Sequence, residues 1–112
     1  MLFSALLTAC SATPRQAAPE PALSEFFSQL PPDAAVRCVD RNAIALKESY
    51  GAALRVLDAR ARQVVLGSDG TVRASVLAVV RPIAGGSTIS MSVVPGRTQR
   101  TDEFIRALAK GC

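Results

Sequence analysis

Residues 71–81 alternate with a period of two: Val72, Ala74, Val76, Ala78 and Val80 fall on one side, against Thr71, Arg73, Ser75, Leu77, Val79 and Arg81. Successive side chains of an extended chain point to opposite faces, so this run buries one wholly apolar face in a sheet. Gly85-Gly86 turns the chain into a second alternating run, Thr88 to Val94, where Ile89, Met91 and Val93 oppose Thr88, Ser90 and Ser92. The two runs predict a hairpin with the Ile/Met/Val side in the core and the Ser/Thr side in solvent. Leu54 to Ala59 reads as an earlier strand, and Arg62 to Leu66 continues it or forms a short second one. Gly67-Ser68-Asp69-Gly70 is the turn that follows.

The flanks have a different period. Leu23, Phe26, Phe27 and Leu30 at helical spacing predict a helix over 22–30, ended by Pro31-Pro32. Asp33 is expected to cap a second helix, Ala34 to about Leu46, with Val36, Val39, Ala43 and Leu46 on one face. Thr101 is expected to begin a last helix, with Asp102 and Glu103 in its first turn and Lys110 in its last, as the macrodipole favours. Phe104, Ile105 and Leu108 form its buried face. The expected fold is therefore α+β: a two-layer sandwich of N-terminal helices, a three- to four-stranded antiparallel meander and a C-terminal helix. One globular domain, residues 22–112, suits a chain of 112 residues. With 49% hydrophobic but only 4% aromatic residues, its core is built from Ala, Val, Leu and Ile.

Histidine is absent, which removes the commonest general base and transition-metal ligand and makes a Ser-His triad impossible. Asp33, Asp69, Asp102 and Glu103 all fall where caps, turns and helix starts use carboxylates, and Lys47 and Lys110 stand in no known Ser-Lys spacing. Gly85-Gly86-Ser87-Thr88 lacks a P-loop lysine and precedes a strand. The domain reads as non-enzymatic, with no metal and no cofactor. The formal charge of +4 comes from scattered arginines rather than a basic stripe, which argues against nucleic-acid binding. Arg60, Arg62, Arg73 and Arg81 are the candidates for a partner-binding sheet face toward an acidic partner. The same charges also serve simply to keep a sheet face soluble and its edges protected.

Leu7-Thr8-Ala9-Cys10 closes an uncharged apolar run and resembles the lipobox of bacterial lipoprotein precursors. The resemblance implies lipidation of Cys10, cleavage before it, and residues 1–9 as a signal-peptide remnant. No Lys or Arg precedes Cys10 and the apolar run is short, which points to a start further upstream. Residues 10–21 then comprise the lipidated Cys and a flexible tether, SATPRQAAPEP after the Cys. Ser11, rather than Asp, after the Cys leans toward the outer membrane in this family. In such a periplasmic setting Cys38 and Cys112 remain as an even pair, which implies a disulfide. It would close a loop of about 75 residues, worth roughly 4–5 kcal/mol by the chain-entropy argument. A redox or metal pair lacks both a CxxC spacing and a His. The pattern of Cys38, Gly85-Gly86-Ser87 and Gly111-Cys112 is also similar to small proteobacterial lipoproteins of unknown function. These resemblances imply a membrane-anchored module that binds an envelope protein or supports an assembly. The alternatives are a domain binding a lipid or cell-wall fragment, or an inhibitor lipoprotein.

Overall fold

The computed structural model describes residues 22–67 and 74–112. Residues 1–21, with Cys10 and the expected tether, lie outside the described residues, as do 68–70 of the expected turn and 71–73 of the expected strand. In chain order the elements are β1 (Ala22–Ser28), α1 (Pro32–Ala45), α2 (Lys47–Tyr50), β2 (Ala53–Val56), β3 (Ala61–Leu66), β4 (Ala74–Ile83), β5 (Gly86–Val94) and α3 (Gln99–Leu108). The strands form one antiparallel sheet in the order β1-β5-β4-β3-β2.

The fold is α+β, as the sequence predicts, but the sheet has five strands and its layering differs from expectation. The segment expected as a first helix is β1, paired with β5 so that Phe26 faces Ile89 and Glu25 faces Ser90. Its apolar residues follow the helical spacing better than a period of two, since Ser24, Phe26 and Ser28 on one side and Leu23, Glu25 and Phe27 on the other both mix apolar with polar residues. A single nine-residue helix is marginal alone. Pairing decides the matter, because without β1 the apolar strand β5 would be left as a bare edge beside the core.

Helix starts also shift. Pro31 holds the N-cap position of α1 and Pro32 its first turn, so Asp33 lies inside the helix and makes no cap bond. Proline at the first helical position costs nothing, because that N–H has no helical partner anyway. Thr98, not Thr101, caps α3: its hydroxyl accepts from the Thr101 N–H at 3.1 Å, while the Thr98 N–H donates to Thr101 Oγ1 at 2.7 Å.

Val36, Val39 and Ala43 of α1 and Phe104, Ile105 and Leu108 of α3 pack on one face of the sheet. They meet Val64, Leu66, Val76, Ala78, Val80, Ile89, Met91 and Val93. The Cys38–Cys112 disulfide ties α1 to the end of the chain, with the Cα atoms 5.6 Å apart. Beside it, Asn42 Nδ2 donates to the carbonyls of Leu108 and Lys110. The Ser/Thr side of β5 departs from expectation: Thr88 and Ser90 are buried, because β1 and β4 flank the strand with longer side chains.

Candidate functional site

The register separates the two faces of the sheet. Opposite the helices lie Leu23, Glu25 and Phe27 of β1, Thr88, Ser90, Ser92 and Val94 of β5, and Leu77, Val79, Arg81 and Ile83 of β4. Leu23, Phe27, Leu77, Ile83 and Val94 are all exposed on this face, and Phe27 keeps 75% of its surface in solvent. Large apolar side chains gathered on one side of a sheet are a recognised mark of a contact surface.

A polar line crosses the same face. Ser90 Oγ donates to Glu25 Oε2 at 3.2 Å, and Arg81 Nη1 approaches Ser90 Oγ at 3.5 Å. The buried hydroxyl thus stands between a guanidinium and a carboxylate, giving to one and accepting from the other. This satisfies Ser90 on the side away from α1 and α3 and holds Glu25 between Leu23 and Phe27.

The main chain of β1 adds a second feature. The Val80 N–H donates to the Arg60 carbonyl at 2.9 Å, so even-numbered residues of β4 bond toward β3 and odd-numbered ones toward β5. Carried through the antiparallel register, the alternation directs the N–H and C=O groups of Ala22, Ser24, Phe26 and Ser28 toward β5. Those of Leu23, Glu25 and Phe27 therefore point away from the sheet. At the far edge, β2 has only four residues, and the same alternation leaves the groups of Leu54 and Val56 pointing outward.

The three candidate arginines among the described residues, Arg60, Arg62 and Arg81, are not brought together on one face. Arg62 lies opposite Ala78 on the helix-covered face, where Nε and Nη2 bond both oxygens of Asp40 at 2.8 and 3.2 Å. Its Nη1 donates to the Asp58 carbonyl at 2.6 Å. Arg60 approaches Asp33 at 3.8 Å. Arg81 belongs to the opposite, open face, and Arg73 lies outside the described residues. Strand alternation is the reason: Arg62 and Arg81 occupy opposite sides of the pleat, whatever their shared charge. Leu23, Glu25 and Phe27, by contrast, went unread as surface residues because 22–30 reads as a helix. Both faces of β1 mix apolar and polar residues, so no local alternation marks the segment as a strand.

Comparison with protein-family models, with curated proteins and with solved structures finds no match for this chain. The site must speak for itself. Among the described residues no cluster of His, Cys, Asp and Glu has the spacing of a metal site, and no helix is long and apolar enough to cross a membrane. A shallow, open depression of roughly 290 Å³ lies between the end of α1 and β2. Ala43, Ile44, Lys47, Ala52, Ala53 and Leu54 line it, so one ammonium is its sole ionisable group and no carboxylate or hydroxyl converges there.

Proposed function

We propose that this chain is a lipid-anchored, non-enzymatic protein of the bacterial envelope that binds another protein with the face of its sheet opposite α1 and α3. The anchor is acylated Cys10, the tether is residues 11–21, and the domain stands on the periplasmic side. Ser11 favours the outer membrane. The observation that carries the binding role is the exposed set Leu23, Phe27, Leu77, Ile83 and Val94 on one face. The anchor rests on Leu7-Thr8-Ala9-Cys10 and the Pro/Ala segment behind it. Two or more acyl chains on one residue hold a protein stably to a bilayer.

A lipid or cell-wall fragment held between sheet and helices is less favoured, because Ile89, Met91, Phe104 and Leu108 occupy that space with almost no exposure. An inhibitor lipoprotein would use the same open face as any other protein-binding module.

Two measurements test the reading. Intact mass of the protein, expressed in a bacterial host from a start extended upstream, is expected to show a chain beginning at Cys10 with acyl mass. An unprocessed, unlipidated chain would overturn the envelope assignment. A photo-crosslinking residue at Leu77 is expected to give a discrete protein adduct in envelope fractions, whereas one at Arg37 on α1 gives none. Absence of any adduct specific to Leu77 would overturn the binding role.

A further inference from the structure

We propose that β1 accepts one extended strand from another protein, with a basic side chain opposite Glu25 and apolar side chains two residues to either side. The inference rests on the reading that this side of the sheet binds protein, and it names how and what. Three residues of β1 direct main-chain N–H and C=O groups outward, where no strand among the described residues pairs with them, and the same three put Leu23, Glu25 and Phe27 on the open face. An incoming strand would extend the sheet through those groups, and its alternate side chains would lie beside these three.

Charge decides which strand fits. Edge strands are normally guarded by a charge placed among their apolar residues, and Glu25 stands between two side chains that are 61% and 75% exposed. The carboxylate is fixed in place by Ser90, itself buried. A strand with Lys or Arg opposite Glu25 turns the guard into a cross-strand ion pair, and a strand with an acid there meets like charge.

A second copy of this chain fits poorly. The two-fold antiparallel register that sets Leu23 beside Phe27 of the copy also sets Glu25 against Glu25. Sliding to the neighbouring symmetric registers places the carboxylate against Leu23 or Phe27. The other edge is a weaker acceptor, since β2 offers only two outward residues.

The test uses the full chain carrying Cys10→Ser, so that no acyl group is needed. The probe is a capped heptapeptide of sequence threonine-valine-threonine-lysine-threonine-valine-threonine. Titration followed by amide NMR is expected to saturate, with the largest shifts at Leu23, Glu25 and Phe27. A peptide with glutamate replacing lysine is expected to bind about fivefold more weakly or worse, and Glu25→Lys should reverse that preference. Leu23→Pro with Phe27→Pro removes two outward N–H groups and leaves the β1–β5 ladder untouched, so affinity should fall by about tenfold. Should that variant unfold, N-methylation of the peptide on its pairing side makes the same cut from the other partner.

Failure of the lysine peptide to saturate would overturn the proposal, as would equal affinity for the two peptides or indifference to N-methylation. A dimer formed through β1 without peptide would assign the edge to a second copy instead. If Leu77 crosslinks to a partner while the peptide fails, the strand falls and the binding face stands.

Discussion

The side-chain amide of Asn42 on α1 donates to the main-chain carbonyl of Leu108 at 2.7 Å and to that of Lys110 at 2.9 Å. The last carbonyls of a helix have no partner within it, so α1 supplies to α3 a cap that α3 cannot make for itself. The Cys38–Cys112 bridge lies one helical turn away on α1, and Ser28 donates to the Cys112 carbonyl from β1. Three elements thus converge on the end of the chain. Asn42→Ala is expected to destabilise the domain by about 1–3 kcal/mol, since it removes the donor to the part-buried Leu108 carbonyl as well as to the exposed Lys110 carbonyl. Asn42→Asp should cost more, because a carboxylate offers no donor and faces oxygens. Urea midpoints of the three proteins check the order.

Gly86 is set by a close approach rather than by a turn. A Cβ built there would stand 2.0 Å from the Ser28 carbonyl oxygen, so β1 and β5 would have to part. Gly85, its neighbour, has open space around it but a φ of +85°. Gly85→Ala is expected to cost about 1 kcal/mol, as for a left-handed residue replaced at a turn. Gly86→Ala should cost clearly more and should raise amide exchange along β1 selectively. Equal loss at the two positions, with no selective change in β1, would contradict this account.

Arg60 and Arg62 are two residues apart and differ in consequence. Arg62 is largely covered and holds both oxygens of Asp40 and the Asp58 carbonyl. Arg60 reaches an exposed Asp33 only at 3.8 Å. Asp40→Asn or Arg62→Met is expected to cost about 1–3 kcal/mol, with the pair partly screened by water. Arg60→Met should lie within about 0.5 kcal/mol of the parent. Arg62→Lys is not conservative here, because one ammonium cannot reproduce the fork. Thermal melts at low and high salt separate the two sites.

The disulfide closes nearly the whole domain, joining residues 74 apart in the chain. Replacing both cysteines by alanine is expected to lower stability by about 3–5 kcal/mol, chiefly by freeing the unfolded chain. That is a large share of the roughly 5–15 kcal/mol typical of such domains. The guanidinium midpoint of the double variant, beside that of the parent with and without reductant, checks it. A double variant matching the oxidised parent would show that the Asn42 and Ser28 bonds hold the terminus unaided.

Much of this fold was legible because its signals are local. The alternations in β4 and β5 place Val76, Ala78, Val80, Ile89, Met91 and Val93 in the core, and all six are buried there. The apolar face of α3 and the Gly85-Gly86 turn needed no more than a window of a dozen residues. Alternation alone also leaves Thr88 and Ser90 outside, and their burial depends on which strands lie beside β5.

By itself the sequence determined the α+β class, the hairpin, helices α1 and α3, the faces of those elements and the absence of histidine chemistry. Each follows from residue type and spacing along one stretch of chain. Only the tertiary structure decided that residues 22–28 form a strand, that Arg62 and Arg81 part to opposite faces, and that Leu23, Glu25 and Phe27 share an open edge. Strand pairing joins residues more than sixty positions apart, as with Glu25 and Ser90. Its hydrogen bonds and burial outweigh the weak helical preference of one short segment, and no local window contains the partner strand.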